Sequence, residues 1–435
     1  MKRGFFSKLI ALFLVVIMSF GFAGCEILEE VLNQIYPSGH VCEEIWKDDA
    51  TSHWIECISC GQKKQIGSHD YVDAGTEGEL SCSVCGRVKI LPKGELEFHF
   101  IMLGNYRSGD SIYVKAGEND ILIDGGSYYD SIDDIKGYVD NYCLDGKLEY
   151  VIVTHADEDH IACFGGTKDG DSLFDLYECE TIIDFPLTDK TSQVYQRYVS
   201  ERSAEVELGA KHFTALECYN QSKEGAQRIY NLTADGNIKM EILYNYYYEN
   251  RHGDENNYSV CVMFHHGSRQ FLFTGDLEVE GEEKLAEQYD FSQVELFKAG
   301  HHGSPTSSNE CLLKEIKPKI CVACCCAGSV QYTDNLLNTF PSQAVIDRIA
   351  PYTDKFYVPI TINIVQTEGA QTPNDTSDDD YSNSGEIMML NGNIVVISKA
   401  TQEVYVECSN NNTLLKDTDW FKNYRTTPTA WLSAS

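Results

Sequence analysis

An apolar run at residues 150–153 leads directly into Thr154-His155-Ala156-Asp157-Glu158-Asp159-His160. Successive side chains of a strand point to opposite faces, so His155, Asp157 and Asp159 can converge on one side. The start of a helix would then bring His160 towards the same place. Burying four ionisable side chains without partners costs a large free energy. One or two divalent cations explain the cluster, because His and Asp are common metal ligands.

Four further segments place polar or metal-binding residues beside apolar runs. They are DGG at residues 124–126, NNYS at 256–259, FLFTGD at 271–276 and KAGHHGS at 298–304. Together with THADEDH they resemble, in order and spacing, the motifs of the metallo-β-lactamase fold. Asp157 resembles the version found in the hydrolase-like domain of ComEC-type DNA-uptake proteins. The resemblance covers roughly residues 96–400 and implies an α/β fold, the αββα sandwich.

The resemblance also implies a centre with two divalent ions, Zn²⁺ or Mn²⁺. Its six ligands would be His155, Asp157, Asp159, His160, Asp276 and His301. His155 and Asp157 would bind one ion, and Asp276 would bridge it to the ion held by the other three. A carboxylate at position 157 favours Mn²⁺ or Mg²⁺ more than an all-histidine site does, and Zn²⁺ stays open. Such ions acidify a bound water, and the hydroxide attacks a phosphoryl or acyl centre.

Four more side chains are implied around the ions: Asp124, Asn256, His302 and Ser304. Asp124 would orient a ligand histidine or a water, and Asn256 and Ser304 would contact the scissile group or hold the loops. Both His301 and His302 remain candidate ligands, with His301 preferred. The loop at 104–110 departs from the family's usual Gly-Gln-Gly-Asp, and Phe340 replaces a histidine that is common there.

A second His-His-Gly-Ser occurs at residues 265–268. It lies between two apolar runs, where a hairpin turn is expected. His265 and His266 are therefore interpreted as turn residues that bind no metal.

Residues 38–90 form a separate module with two Cys-x-x-Cys-Gly sequences. The cysteines are Cys57, Cys60, Cys82 and Cys85, and His40, His53 and His69 lie among them. About 50 residues bury too little surface to be stable without a staple. The spacing predicts a structural Zn²⁺ site made of the four thiolates, like a zinc ribbon. Pairing of each Cys pair with histidines, and two disulfides, are the alternatives.

The amino terminus predicts export. Lys2, Arg3 and Lys8 precede an apolar run and the small residues before Cys25, as in a signal peptide. Ala-Gly-Cys resembles a bacterial lipoprotein box, which implies lipidation of Cys25 and attachment to the outer face of the cytoplasmic membrane. The predicted divisions are a signal peptide (1–24), a linker (25–37), the Cys/His module (38–90), the hydrolase domain (95–400) and an extension (401–435).

Charge and cysteine usage restrict the function further. The chain has a formal net charge of −33, and removal of residues 1–24 leaves 31 basic against 67 acidic residues, or −36. This charge repels polyanions at long range and disfavours non-specific nucleic-acid binding. The seventeen cysteines include 321 and 324–326, in an apolar stretch, where thiols act as small hydrophobes.

Residue periodicity predicts strands alternating with helices. Strands are expected at 96–103, 111–115, 121–123, 150–153, 179–185, 238–243, 259–264, 270–273, 295–298 and 319–323, with helices at 131–142, 281–289 and 309–316. Residues 190–232 are expected to be partly helical, with Val194, Tyr198, Val206 and Leu208 facing inwards.

Two classes of function follow. The first is a secreted, lipid-anchored hydrolase, a phosphodiesterase or nuclease acting through hydroxide activated by two metal ions. Its partners would be a small-molecule or nucleic-acid phosphodiester and, through the lipid alone, the membrane; nothing indicates a protein partner. Hydrolysis of a cyclic amide or thioester would use the same metal chemistry. The alternative is a non-catalytic cell-surface binding protein with a structural or vestigial metal site.

Overall fold

A computed structural model of the chain describes residues 45–49, 51–58, 60–76, 78–167, 170–333, 335–364 and 385–432. The predicted signal peptide, the linker and the lipidation site at Cys25 lie outside the described residues. The described residues divide into two compact units, one ending at Lys89 and the other beginning at Ile90. No helix in the described ranges is long and apolar enough to cross a bilayer.

The described residues of the smaller unit form two three-stranded sheets, whose last strand ends at Ile90, one residue past the division. Its strands are β1 (Lys47–Asp48), β2 (Ser52–Glu56), β3 (Lys63–Ser68), β4 (Tyr71–Asp73), β5 (Glu79–Cys82) and β6 (Val88–Ile90), with β1-β2-β3 in one sheet and β4-β5-β6 in the other. The two Cys-x-x-Cys-Gly turns have the same backbone pattern. The Cys57 N–H donates to the Gln62 carbonyl at 3.0 Å, and the Cys82 N–H to the Arg87 carbonyl at 2.8 Å.

The larger unit contains most of the described strands. In chain order they are β7 (Leu96–Phe100), β8 (Ile112–Ala116), β9 (Asn119–Ile123), β10 (Lys147–Ile152), β11 (Glu178–Asp184), β12 (Lys211–Thr214), β13 (Ile229–Asn231), β14 (Ile238–Ile242), β15 (Val262–His266), β16 (Arg269–Phe273), β17 (Leu296–Lys298), β18 (Ile320–Val322), β19 (Cys326–Ala327), β20 (Phe356–Tyr357), β21 (Ile360–Ile364), β22 (Gly385–Met389), β23 (Ile394–Ser398) and β24 (Tyr405–Cys408).

Helices connect and cover these strands. They are α1 (Ile132–Val139), α2 (Glu158–Gly165), α3 (Leu173–Leu176), α4 (Gln193–Leu208), α5 (Ala215–Asn220), α6 (Val279–Gln288), α7 (Glu310–Ile316), α8 (Gln343–Ile349), α9 (Asp419–Tyr424) and α10 (Thr429–Leu432). Short 3₁₀ turns lie at Tyr129–Ser131, Tyr246–Tyr248, Glu255–Tyr258, Gly300–Gly303 and Leu415–Asp417.

Two large sheets organise the unit. The first has eight strands in the order β12-β11-β10-β9-β8-β7-β23-β24, and the second has seven in the order β13-β14-β15-β16-β17-β18-β20. Each sheet has an antiparallel half and a parallel half. Strands β9 to β12 are parallel in the first sheet, and β16, β17, β18 and β20 in the second. A small third sheet has the order β19-β21-β22.

The sheets pack face to face through aromatic side chains. Phe98 of the first sheet lies 4.9 Å from Phe271 and 5.2 Å from Phe273 of the second, measured between ring centroids. On its other side the second sheet packs against α6, α7 and α8 through residues such as Leu285 and Leu312. Helices α1 and α4 contribute Ile135 and Tyr198 to the core that contains the first sheet, so the predicted αββα sandwich is confirmed.

Most predicted elements form, with bounds shifted by a few residues, and one helix face was predicted wrongly. In α4, Tyr198 is fully buried, but Leu208 is 83% exposed and Val206 is 41% exposed. The cysteines at 321 and 324–326 are all buried, as expected of thiols used as small hydrophobes.

Candidate metal centre

The candidate site lies at one edge of both large sheets. Strands β9 and β10 end just before Asp124 and the 154–160 segment, and β16 and β17 end just before Asp276 and the two adjacent histidines. The members of each pair are parallel neighbours, so their carboxyl ends deliver side chains to the same edge. Strand β8 runs antiparallel to β9, which places Asp110 at that edge as well.

Four buried side chains form the centre of this group. Ligand atoms of Asp110, His160, Asp276 and His302 all lie within 4.8 Å of one another. Oδ2 of Asp276 is 3.2 Å from Nε2 of His160 and 3.1 Å from Nε2 of His302. Each of the four is no more than 1% exposed.

Several buried atoms in the group have no hydrogen-bond partner among the described residues. They are Nε2 of His155, Nε2 of His160, both ring nitrogens of His302 and Oδ1 of Asp110. Some approach a carboxylate at ion-pair distance, but their direction does not suit a hydrogen bond. A buried polar atom without a partner costs about 1–3 kcal/mol. Imidazole lone pairs and carboxylates facing a common point fit a divalent cation.

The charges of the group attract positive charge. Burial would lower the pKa of His160 and His302, but Asp276 and the neighbouring aspartates raise both pKa values well above the usual range. His155, in contrast, has its pKa lowered to about 4, by burial and then by His160. The carboxylates that hold protons on His160 and His302 are equally placed to attract a metal ion.

Asp124 supports the 154–160 segment from behind. Its carboxylate accepts hydrogen bonds from Nδ1 of His160, from the backbone N–H of Thr154 and from the Thr154 hydroxyl, each at 2.8 Å. With Nδ1 bonded to Asp124, Nε2 of His160 faces Asp276, and a metal ion would take the place of the proton there. This is the orienting contact that metal-binding histidines commonly make.

The other predicted residues of this segment lie around the rim. His155 Nε2 is 3.6 Å from Oδ2 of Asp157, which also forms an ion pair with Lys190. Oδ2 of Asp159 is 3.4 Å from Nε2 of His302 and accepts a 2.9 Å hydrogen bond from the Tyr332 hydroxyl. The structure thus places Asp157 beside His155 and Asp159 beside His302.

The adjacent histidines occupy different positions. His302 is fully buried inside the central group, whereas His301 is 21% exposed and its Nε2 is 4.0 Å from Oδ2 of Asp276. Nδ1 of His301 instead lies 3.2 Å from Oε1 of Glu278. Both residues have a left-handed backbone, with φ of 47° and 53°. The structure therefore brings His302, and not the preferred His301, into the central group.

The motifs did not single out Asp110 and Lys298 as site residues. Nζ of Lys298 is 2.5 Å from Oδ2 of Asp110 and 3.0 Å from Oδ1 of Asp276, and the lysine is 1% exposed. Burial opposes ionisation, but Lys298 and His302 lower the pKa of Asp110 to about 2. The sequence signal for Asp110 is the pair Gly109-Asp110 immediately before the apolar strand β8. It lies in the 104–110 loop, which differs from the family's usual Gly-Gln-Gly-Asp.

Asn256 and Ser304 lie outside the central group. Asn256 donates to Oε1 of Glu278 at 3.2 Å and lines the cleft, while Ser304 lies 2.9 Å from the Thr306 hydroxyl. Within the NNYS segment, Ser259 rather than Asn256 contacts a residue of the central group. Its hydroxyl accepts a 3.1 Å hydrogen bond from the backbone N–H of Asp276.

An open cleft of about 370 Å³ reaches the site. Its lining includes Arg107, Asp157, Asp159, Asn256, His301 and Tyr332. The guanidinium of Arg107 lies over the ring of Tyr128, 4.5 Å from its centroid. The volume suits a small molecule or one end of a polymer.

His265 and His266 of the second His-His-Gly-Ser are the last residues of strand β15 and pair with β16, so they are not the turn residues that were predicted; the turn is formed by Gly267 and Ser268. His265 pairs with Glu241 at 3.1 Å, and Nδ1 of His266 is 2.9 Å from the Ser398 hydroxyl. Neither histidine joins any of the possible metal-binding groups found in the described residues.

In the smaller unit, the predicted set of four cysteines is not brought together. A possible metal-binding group contains Cys82 and Cys85 with His53 and His69, and Cys57 and Cys60 are not members of it. This matches the alternative in which a Cys pair combines with histidines.

Comparison with known proteins supports the fold and the relationship. The profile of the Metallo-beta-lactamase superfamily matches residues 104–169. The ComE operon protein 3 of Bacillus subtilis (strain 168) is 24% identical over 266 residues, which are 56% of this chain and 30% of that protein. Competence protein ComA of Neisseria gonorrhoeae is 38% identical over 78 residues, 17% of this chain and 11% of that protein.

Among solved structures, the metallo-beta-lactamase fold protein YhfI from Bacillus subtilis is similar at 16% identity, with a TM-score of 0.29 over 47% of this chain and 70% of that one. The chain spans less than a third of the length of the two curated relatives named above. Residues 104–169 thus match the metallo-β-lactamase superfamily, and the chain is similar to competence proteins of the ComEC type, in agreement with the resemblance drawn from the motifs.

Proposed function

We propose that the chain is a metal-dependent hydrolase of phosphodiesters, nucleic acid or nucleotide, exported and lipid-anchored through Cys25. The observation that supports the hydrolase most directly is the set of buried ring nitrogens without hydrogen bonds around Asp276. The preference for phosphodiesters rests on the resemblance of the motifs to those of ComEC-type DNA-uptake proteins, not on a contact in the structure.

The proposed ligand assignment follows the contacts of the described side chains. Asp157 and His155 would hold one ion, and Asp276 would be shared with a second. The second ion would be held by Asp159, His160 and His302, so His302 replaces His301 in the predicted set. Bound there, divalent ions acidify water and polarise a phosphoryl oxygen.

The protein's own residues position the substrate and the ligands. Asp124 holds the proton on Nδ1 of His160, and Lys298 offsets the charge of Asp110 and Asp276. Arg107 lines the cleft, and its guanidinium could offer a phosphate two parallel N–H donors. His301, half-buried beside Glu278, lies where it can exchange a proton with the leaving group.

The test is metal content together with Mn²⁺- or Zn²⁺-dependent hydrolysis of bis-p-nitrophenyl phosphate and single-stranded DNA. Asp276→Ala and His302→Ala are expected to lose both the metal of the larger unit and the activity. The second His-His-Gly-Ser provides a matched control, because His266 is also buried but bonds to Ser398. His266→Ala should retain metal and activity.

A wild-type protein that takes up metal only through its cysteines and cleaves neither substrate would instead indicate the surface-binding protein. Activity on a cyclic amide or thioester alone would keep the metal assignment and exclude the phosphodiester. The lipid anchor is tested separately. Cys25→Ala should release the protein from membranes and abolish labelling by a radioactive fatty acid.

A further inference from the structure

The described residues of the smaller unit, 45–89 with short gaps, have almost no apolar interior. Its buried hydrophobic residues, in the described part, are Trp54, Cys57 and Cys82. Larger apolar side chains face solvent instead, including Ile58 at 66% and Ile66 at 63% exposure. Among the described residues, apolar burial therefore contributes little to holding the two three-stranded sheets together, and a cross-link of another kind would stabilise them.

One cluster of side chains joins the two sheets. His53 belongs to β2 and His69 directly follows β3, whereas Cys82 ends β5 and Cys85 lies in the turn before β6. Their ligand atoms all lie within 4.8 Å of one another. His53 and Cys82 are buried, and the other two are partly buried.

The distances match tetrahedral zinc coordination. Zn–S bonds of about 2.3 Å and Zn–N bonds of about 2.1 Å at tetrahedral angles place sulfur and nitrogen about 3.6 Å apart. Sγ of Cys82 is 3.6 Å from Nδ1 of His53, and Sγ of Cys85 is 3.4 Å from Nδ1 of His69. Each sheet thus contributes one atom to each close sulfur–nitrogen pair.

The ring of His69 is oriented for this role. Its Nε2 lies 2.9 Å from the backbone carbonyl of Asp49. Because a carbonyl only accepts, Nε2 must carry the proton, and Nδ1 presents its lone pair to Cys85. A backbone carbonyl on the far nitrogen is the usual support of a zinc-binding histidine. The ring of His53 is held between Trp46 and His69, at centroid distances of 5.0 and 5.5 Å.

We infer that His53, His69, Cys82 and Cys85 bind one structural Zn²⁺ that fastens the two sheets of the smaller unit together. Two thiolates and two neutral imidazoles fill the four positions, which leaves none for a substrate. Cys57 and Cys60 take no part in this centre. The inference does not depend on the hydrolase activity of the larger unit.

Zinc content of the full chain, purified under reducing conditions without chelator, tests the ligand set. His69→Ala and Cys85→Ser should each lose about one zinc per chain, and the double variant should lose no more than either alone. Cys60→Ser is the matched control, since it changes the corresponding position of the first Cys-x-x-Cys turn. His69→Ala should remove about one further zinc from Cys60→Ser.

Cobalt substitution counts the thiolate ligands and distinguishes the loss of a ligand from misfolding of the module. Charge-transfer absorption from sulfur to Co²⁺ should correspond to two thiolates at this centre, because the central group of the larger unit contains no cysteine. His69→Cys should keep the metal and add the absorption of a third thiolate, which an unfolded module would not do. Retention of zinc by His69→Ala, with Cys60→Ser and Cys85→Ser losing the same ion, would overturn the assignment in favour of four cysteines. Absence of zinc with Cys82 and Cys85 joined in a disulfide would overturn it as well.

Discussion

Two aspartates lie next to the Nδ1 atoms of two histidines at the candidate centre. The Asp124 carboxylate accepts a hydrogen bond from Nδ1 of His160, and Oδ1 of Asp110 lies 3.1 Å from Nδ1 of His302. In both cases the opposite ring nitrogen faces Asp276. The hydrogen bond to Asp124 therefore sets the direction of the His160 imidazole before any ion arrives, whereas Asp110 acts on His302 through its charge.

Asp124→Asn is expected to weaken metal binding by about 10–100-fold. The amide cannot stabilise a proton on Nδ1 as a carboxylate does, so the imidazole becomes a poorer and less well oriented ligand. Competition titration against a chromogenic chelator measures the effect. Asp184→Asn is a suitable control, because Asp184 is likewise buried and bonded to a histidine, His212, at 2.8 Å. Equal weakening by both variants would show a general loss of stability instead.

At the residue scale, the motifs predict which segments supply metal ligands but not which of two consecutive histidines joins the central group. His301 and His302 are consecutive, and both adopt a left-handed backbone. Which of them faces Asp276 depends on this turn, and no local pattern of polar and apolar residues encodes its φ angles. The motifs do not identify Asp110 for a related reason, since its position at the site follows only from the antiparallel pairing of β8 with β9.

A buried carboxylate connects two helices at the element scale. Glu282 of α6 accepts hydrogen bonds from the backbone N–H groups of Ser308 and Asn309, at 2.6 and 2.7 Å, just before α7 begins. Burial nevertheless dominates and raises the pKa of Glu282 to about 7. The contact closes the gap between two helices that pack on the same sheet.

This raised pKa predicts a pH-dependent stability. The folded state holds the Glu282 proton more tightly than the unfolded state, whose pKa is near 4.5. The stabilisation is therefore complete below about pH 4.5 and is lost as pH rises through 7. At about 1.4 kcal/mol per pKa unit, the loss is roughly 3 kcal/mol.

Urea unfolding from pH 5 to pH 8, at intervals of about one unit, should show this loss in the wild type relative to Glu282→Gln. The exposed Glu280 of the same helix offers a control, and Glu280→Gln should follow the wild-type profile. A parallel course of wild type and Glu282→Gln would contradict the assignment.

Strand positions were predictable from apolar runs, because both faces of the central strands are buried. The buried face of helix α4 was harder to predict from its apolar residues. Val206 and Leu208 are apolar yet exposed, while Glu205 is buried and accepts a hydrogen bond from the Cys179 N–H at 3.3 Å. Apolar character alone does not identify the buried face when a helix end extends past the sheet that it covers.

On the scale of the whole molecule, the net charge of −33 conflicts with a polyanionic substrate. Proteins that bind nucleic acid through basic patches lose affinity steeply as salt is added. Here the long-range interaction is repulsive, and salt screens it over a Debye length of about 10 Å at 0.1 M.

The kcat/KM for single-stranded DNA should therefore rise several-fold between about 20 and about 200 mM salt. The value for bis-p-nitrophenyl phosphate, a single negative charge, should change little and serves as the control. Steady-state kinetics with each substrate at constant metal concentration measures both. A fall in the DNA value with salt would reveal a local basic surface that outweighs the net charge.

The pairing of β7 with β23 joins distant parts of the chain, since Phe100 lies opposite Ile394. A ribosome adding about 5–20 residues per second needs roughly 15–60 s to pass from one to the other. During that interval one edge of β7 has no strand to pair with, and contacts of such long range form slowly. The nascent chain thus completes its THADEDH segment early, yet the sheet that carries it closes only when nearly the whole polypeptide has been synthesised.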